Sequence, residues 1–163
     1  MSMNEMTIQP SADKQDAALW DLVQSVDLLD IRILRWHSEL HDLQARTVDE
    51  IQPELESEFR IDEQSIQCRW TLDTQVRDSK GVKVADIGLT FLQVFAFTGR
   101  PMTHSITSGL VREFVEKTAV ISVMPFIREA VQTMTVRLGL QPVTLGLARA
   151  GSTGPESYSV RGG

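Results

Sequence analysis

The sequence contains few of the residues that mark disulfide-bonded, zinc-binding or nucleic-acid-binding proteins. Its one cysteine, Cys68, excludes an intrachain disulfide framework and a cysteine-based zinc site. The 16 Lys and Arg are outnumbered by 22 Asp and Glu, and this net charge of −6 disfavours nucleic acid as the main partner, because phosphate binding needs clustered basic residues. The tryptophans Trp20, Trp36 and Trp70 are too dispersed to form a stacking platform for bases.

Long apolar runs are also missing. None approaches the ~18 residues that a transmembrane helix requires, so we expect no direct membrane insertion. The N-terminal residues do not combine a basic region with an apolar stretch, so we expect no secretory signal and a cytoplasmic protein. A chain of 163 residues is the right length for one domain. We expect a disordered lead-in at 1–12, a single domain at 13–147 and a flexible tail at 148–163.

Catalytic and cofactor-binding motifs are absent from the sequence. It contains no GxGxxG, Walker, GxSxG or HExxH motif, so we predict no catalytic residues, no cofactor and a protein that is not an enzyme. His37, Glu39 and His41 share one parity on a predicted strand, but alternate strand positions lie ~6.6–7 Å apart, too far for this row alone to close on one ion. We therefore predict no metal site. A protein that binds a metal or a small ligand between its sheet and its helix remains an alternative.

Two consecutive stretches alternate apolar and polar residues with the period of a half-buried strand. The apolar residues are odd-numbered in residues 51–61 and even-numbered in residues 66–76. A hairpin that sets Glu58 opposite Arg69 pairs opposite charges across these strands. Pro53 cannot donate a hydrogen bond to a neighbouring strand, which favours an edge position for the strand at 51–61.

The strand predicted at 82–97 is apolar on both faces, which is typical of a central strand that is covered on both sides. Short turns join it to the two preceding strands in a meander. Residues 28–40 have the mixed parity of a bulged or two-sided strand. The long connection at 42–49 allows this first strand to return beside the fourth, so the sheet is predicted to be a four-stranded antiparallel Greek key.

Helical periodicity appears on either side of this sheet region. One helix is predicted at 13–26 and a longer one at 119–138, with Pro125 as a kink or a fresh start and Gly139 as the stop. We therefore predict an α+β fold in which the sheet packs on a long C-terminal helix, with an extra helix at the N-terminus.

The fourth strand is predicted to carry two functional surfaces. Its odd face should pack on the long helix and contribute to the oligomer interface through Ile87, Leu89 and Phe91. Its even face should join the strand at 28–40 in one contiguous apolar patch that suits an extended peptide. The residues of this expected patch are Leu34, Trp36, Leu40, Leu92 and Val94. An alternative is that the N-terminal helix simply covers the patch.

Residues 119–129 end in an apolar-Pro-aromatic-x-Arg-Glu pattern, which a Pro-x-x-Leu segment follows. The residues that make up the two motifs are Pro125, Phe126, Arg128, Glu129, Pro142 and Leu145. Together with the four preceding strands, this helical region resembles the SecB family of export chaperones. Adjacent helix positions diverge by about 100°, so Arg128 and Glu129 should not pair with each other, and we expect at least one to bond a neighbouring element or subunit.

The resemblance implies a holdase that binds unfolded or extended polypeptides without ATP, with the five-residue apolar patch as its expected client-binding site. It also implies a homotetramer, built as a dimer of dimers, whose clients are unfolded preproteins for export, with SecA as a candidate partner. The extra N-terminal helix, the segment Asp30–Leu34 and the end of the chain look more similar to the SecB-like chaperones of toxin–antitoxin systems. In that alternative the chaperone is dedicated to one antitoxin and protects it.

Overall fold

The computed structural model describes residues 12–143, 145 and 158–162. The elements in chain order are helix α1 (Ala12–Ser25), strands β1 (Val26–Leu40), β2 (Glu50–Ile61), β3 (Ser65–Arg77) and β4 (Lys83–Phe97), helix α2 (Ser108–Phe114), a π-helical segment (Val115–Ala119), helix α3 (Val120–Arg137) and strand β5 (Tyr158–Gly162). The predicted lead-in at 1–12 and tail at 148–163 lie outside the described residues, apart from Ala12 and β5.

The strands form one sheet in the order β1-β4-β3-β2-β5. The first four are antiparallel and β1 returns beside β4, which confirms the predicted Greek key and the central position of β4. The β2–β3 hairpin has the predicted register, in which Glu58 faces Arg69. Strand β5 adds in parallel to β2, a pairing that the sequence did not predict.

Two bulges explain the mixed parity of β1. Its register with β4 shifts between Leu28 and Asp30 and again between Ile33 and Arg35. Leu29 and Leu34 therefore have no partner residue in β4, and each is the extra residue of a bulge. Each extra residue exchanges the faces to which odd and even positions point. The β1 residues that share a face with Phe95, Gln93, Phe91, Leu89 and Ala85 of β4 are therefore Leu28, Ile31, Ile33, Trp36 and Leu40.

The hydrophobic core lies on one face of the sheet, which we call the inner face, beneath α2 and α3. Trp70 of β3 faces Phe91 of β4 there, and both side chains are buried. The ring of Phe95 meets the ring of Phe114 in α2 edge to face, with centroids 5.0 Å apart. The other face, which we call the outer face, carries mainly polar residues from β2 and β3.

The helical half of the chain runs continuously from α2 through the π-helical segment into α3. The hydroxyl of Thr107 caps α2 by accepting a hydrogen bond from the backbone N–H of Leu110 at 3.1 Å. Pro125 lies inside α3, which neither ends nor starts afresh there. Gly139, at a φ of 75°, ends the helix as predicted, and its N–H donates to the carbonyl of Val136.

One buried amide joins the sheet to the helices. Gln93 of β4 accepts a hydrogen bond from the indole N–H of Trp70 at 2.9 Å. Its own NH₂ group donates to the hydroxyl of Ser122 at 2.7 Å and to the carbonyl of Ala119 at 3.2 Å. Because Ala119 is the last residue of the π-helical segment, these bonds position the start of α3 over β4 and β3.

We predict that Gln93→Leu lowers the free energy of unfolding by ~2–4 kcal/mol, because it leaves the buried N–H of Trp70 without an acceptor and removes two bonds to the helix. Urea denaturation measures the loss. The double variant Gln93→Leu/Trp70→Phe should lose at least about 1 kcal/mol less than the sum of the single losses, since both partners of the bond are then gone. Strictly additive losses would show that the bond is unimportant.

Helix α1, which was predicted, packs at one end of the sheet beside α2. Leu22 is buried in the core, and Gln15 donates to the carboxylate of Glu113 in α2 at 3.1 Å. Asp21 accepts hydrogen bonds from the backbone and hydroxyl of Thr103 at 2.8 and 3.0 Å. The same carboxylate oxygen lies 3.1 Å from the ring Nδ1 of His104. These contacts join α1 to the loop after β4.

The docking of α1 is predicted to depend on pH. The hydrogen bonds from His104 and then from Thr103 lower the pKa of Asp21 from 3.8 to about 2. Because the folded value lies below the unfolded one, the stabilisation is present above about pH 4 and is lost as the pH falls to about 2. We expect the thermal midpoint of Asp21→Asn to lie below that of the wild type at pH 5 and to converge with it near pH 2. Parallel profiles across this window would contradict the assignment.

Candidate peptide-binding surface

The inner face of β1 is apolar and remains largely uncovered. Leu28, Ile33 and Trp36 are 44%, 49% and 39% exposed, although they share this face with buried residues of β4. The reason is the position of α3, which Gln93 holds over β4 rather than over the edge strand. Strand β1 is the edge strand of the sheet, so only the side of α3 lies near it.

Helix α3 borders this apolar face of β1. The guanidinium carbon of Arg137 lies 5.8 Å from the ring centroid of Trp36, within the range of a cation–π contact. Phe126 is three helical turns earlier on nearly the same side of α3, because 11 residues at 3.6 per turn return almost to the starting direction. Its side chain is 44% exposed. We call this surface the β1–α3 groove and define it by Leu28, Ile31, Ile33, Trp36 and Phe126.

The structure divides the expected five-residue patch between the two faces of the sheet. Trp36 and Leu40 face Leu89 and Ala85 of β4, on the inner side. Leu34 is the extra residue of the second bulge and is exposed. The expectation of one contiguous patch is therefore wrong, because the bulges turn the last residues of β1 away from the even face of β4.

Leu92 and Val94 lie instead on the outer face of the sheet. Leu92 stands between Arg32 of β1 and Arg69 of β3 in the register, and both apolar residues are half-buried. Their neighbours are long polar side chains whose stems can cover apolar surface. The contacts of α1 run to α2 and to the loop after β4, so its described hydrogen bonds do not tie it to this face.

The three residues expected at the oligomer interface, Ile87, Leu89 and Phe91, are at most 2% exposed within one chain. They form the core beneath the helices, where the odd face of β4 was expected to pack. Their burial leaves no surface for direct contact with another subunit, so any subunit contact has to use other residues.

The motif residues on α3 point in different directions. Pro125 and Glu129 are exposed, while Arg128 is half-buried on the flank of α3 opposite Phe126. The buried Nε of Arg128 has no hydrogen-bond partner. Within the described part of one chain neither Arg128 nor Glu129 forms an ion pair, so the expected bond to a neighbouring element is not seen there, and a bond to another subunit stays a prediction.

The second motif lies on the segment that follows α3. Pro142 is exposed, whereas Leu145 is buried in the core. The backbone N–H of Val143 donates to the hydroxyl of Thr135 at 3.3 Å, which ties the segment back to the end of α3. Leu145 therefore has a structural role as a core residue.

The outer face holds the groups that could have suggested a metal or small-ligand site. His41 Nε2 lies 2.7 Å from Asp86, and this contact, with Lys83, lowers the pKa of Asp86. Among the residues that the structure describes, no three His, Cys, Asp or Glu side chains are placed to hold a metal ion. Burial raises the pKa of Cys68 to about 12, so its thiol is not a nucleophile at neutral pH.

A polar depression of about 460 Å³ lies above Gly88 on this outer face. The ion pair between Arg35 and Asp73, at 3.1 Å, crosses it. A Cβ atom at position 88 would collide with the end of Arg35, so the glycine makes room for the pair. Arg35 and Asp73 thus line the depression. None of the described helices is long and apolar enough to cross a membrane.

The arrangement of an N-terminal helix, a Greek-key sheet and a C-terminal helix over its inner face is the SecB-like fold, as the motif resemblance predicted. A solved structure with this fold is the Mycobacterium tuberculosis SecB-like chaperone Rv1957, in complex with a ChAD peptide from the HigA1 antitoxin. It aligns with a TM-score of 0.70 and 21% identity, over 81% of this chain and 96% of that chain.

A weaker structural match is a protein of unknown function from Streptococcus agalactiae. It aligns with a TM-score of 0.40 and 13% identity, over 75% of this chain and 97% of that chain, and it has no bearing on function here. No protein-family model and no curated protein sequence matches the chain.

The exposed apolar surface of the groove can be tested without a client. We predict that Trp36→Ser reduces the fluorescence of the apolar dye bis-ANS and lowers the free energy of unfolding by only ~1 kcal/mol, because the residue is partly solvated. Leu92→Ser, on the outer face, is the matched control and should keep the dye signal. A loss of signal in Leu92→Ser alone would place the accessible apolar surface on the other face.

Proposed function

We propose that this protein is a chaperone that holds extended segments of unfolded polypeptides in the β1–α3 groove without using ATP. The observation that supports this most directly is the uncovered apolar groove in a SecB-like fold. Contiguous apolar surface of this kind on a single chain is typical of a binding site. Binding to the unfolded state delays folding and aggregation by mass action.

The free edge of β1 supports binding of an extended segment. No other described strand pairs with its outward side, so its backbone N–H and C=O groups are open to a partner. A client segment laid along this edge would gain main-chain hydrogen bonds that do not depend on its sequence, while its apolar side chains enter the groove. Such contacts fit a partner that is recognised by its unfolded state.

We propose an antitoxin as the main client. The support is the M. tuberculosis SecB-like chaperone, which was solved with a peptide from an antitoxin. Export of preproteins with SecA is the other function that the motif resemblance implies. Co-purification from the native host separates the two: one small partner favours the antitoxin, and a range of preproteins favours export.

We also propose that the chain assembles as a homotetramer in the cytoplasm. One feature favours further contacts between copies: the apolar residues Ile121 and Val136 on the outside of α3 are exposed. The unpartnered Nε of Arg128 lies on the same helix. Light scattering at micromolar concentration tests the assembly, and a monomer would refute it.

The groove is tested with reduced, carboxymethylated α-lactalbumin, a permanently unfolded protein. We predict that Ile33→Ser/Phe126→Ser weakens binding at least tenfold, or about 1.4 kcal/mol, because each residue loses the burial of a large apolar side chain. Adding ATP should change nothing. Binding is measured by fluorescence anisotropy of the labelled client.

The matched control is Val82→Ser, which removes an equally exposed apolar residue from the turn before β4. It should bind the client like the wild type. Thermal midpoints of all variants should stay within a few degrees of one another, since the residues are already solvated. Unchanged binding by the double variant would locate the client elsewhere, and no binding by the wild type would refute the chaperone function.

A further inference from the structure

The chain places its own C-terminal segment on the edge of the sheet that lies opposite β1. Residues 158–162 form β5, which pairs in parallel with Leu55–Phe59 of β2. An edge strand exposes unpaired backbone groups and can accept another strand. The edge of β2 is thus a strand-accepting site, and in the free chain it holds an occupant from the same molecule.

Two features make this occupant replaceable. The ladder is only five residues long and parallel, and parallel pairing is slightly less stable per residue than antiparallel pairing. The 12 positions from 146 to 157 separate β5 from Leu145, and a chain of that length reaches up to about 40 Å. The strand could therefore leave the edge and remain attached to the domain.

The contacts of β2 indicate which strand would bind there best. Ser57 is buried on the inner face, and its hydroxyl has no hydrogen-bond partner; the register sets Val160 opposite it. An occupant with a hydroxyl or amide at this position would satisfy Ser57, because buried polar groups are otherwise almost always bonded. The hydroxyl of Ser57 is therefore one group of the site that an occupant can satisfy.

The outer face of β2 adds a preference for positive charge. Glu54, Glu56 and Glu58 lie there and are exposed. The register sets position 161 opposite Glu58, so an occupant with a positive charge at this position would be stabilised by the pairing of opposite charges. The acidic row was present in the sequence, but only the position of β5 shows that it borders a strand-accepting edge.

We propose that β5 is an exchangeable strand that occupies the edge of β2 until an extended basic segment of a client replaces it. The client segment pairs in parallel with Leu55–Phe59 and sets a Lys or Arg opposite Glu58. This proposal rests on the chaperone function proposed above and gives the protein a second binding surface, whose access its own C-terminal segment controls.

A reversible disulfide tests the exchange. Neighbouring strands lie ~4.8 Å apart, within the Cα separation of disulfides, so Glu56→Cys/Ser159→Cys should form a bond that holds β5 on β2. The native Cys68 is buried and should stay out of the reaction. The probe is a fluorescein-labelled peptide of residues 156–163, and binding is measured by anisotropy for the oxidised and reduced forms of the same variant.

We expect the oxidised form to bind the peptide at least tenfold more weakly than the reduced form. A peptide with Arg161→Glu should bind several-fold more weakly to the reduced form, since it places a negative charge opposite Glu58. Within the full chain, Val160→Pro and Ser159→Pro form a matched pair. Successive N–H groups of a strand point to opposite sides, so only one of these two residues donates its N–H to β2. Proline at that residue removes the hydrogen bond, and we expect it to release β5 and increase peptide binding several-fold.

Failure to form the disulfide, or equal binding by the oxidised and reduced forms, would overturn the proposal. Capture of carboxymethylated α-lactalbumin separates this outcome from failure of the chaperone function. If the oxidised form holds the unfolded protein as well as the reduced form does, the edge of β2 takes no part in client binding and the β1–α3 groove is sufficient. If neither form holds it, the chaperone function itself fails, whatever happens to the peptide.

Discussion

The position of the C-terminal helix depends on the hydrogen bonds of one buried side chain, Gln93. Its amide joins the indole of Trp70 in β3 to the hydroxyl of Ser122 and the carbonyl of Ala119 at the start of α3. A buried amide that is fully bonded in this way specifies one arrangement, because any shift of the helix would leave polar groups without partners. The sheet and the helices are thus held in one relative position rather than merely collapsed together.

This position of α3 creates the groove. A helix fixed over β4 and β3 covers their inner faces and leaves the edge strand β1 only partly covered, although β1 carries large apolar residues. The uncovered residues do not weaken the core, which is complete without them. The chain in this way keeps apolar surface exposed on β1 beside a closed core.

The two edges of the sheet differ in whether another strand covers them. The edge of β1 is open among the described strands and interrupted by two bulges, whereas the edge of β2 is covered by β5. Both arrangements limit uncontrolled strand addition, since bulges distort an edge and an intramolecular strand occupies it. Each edge also lies beside a distinct exposed surface, which is apolar beside β1 and acidic beside β2.

Strict alternation in residues 51–61 and 66–76 was enough to predict the β2–β3 hairpin and its register, because a strand has a period of two and a slip of one residue would bury the charges. The two-sided apolar character of β4 predicted its central place, and the Pro125–Glu129 motif predicted the class of fold.

The groove could not be predicted in this way. Its residues reach one face only because bulges at Leu29 and Leu34 reset the alternation, and they stay exposed only because Gln93 holds α3 over β4. The pairing of β5 with β2 could not be predicted either, since it joins segments just over a hundred residues apart through backbone groups that every sequence possesses. The sequence by itself determined the four antiparallel strands, the main helices and the local pairing, whereas tertiary contacts alone decided the place of β5 and which apolar residues remain exposed.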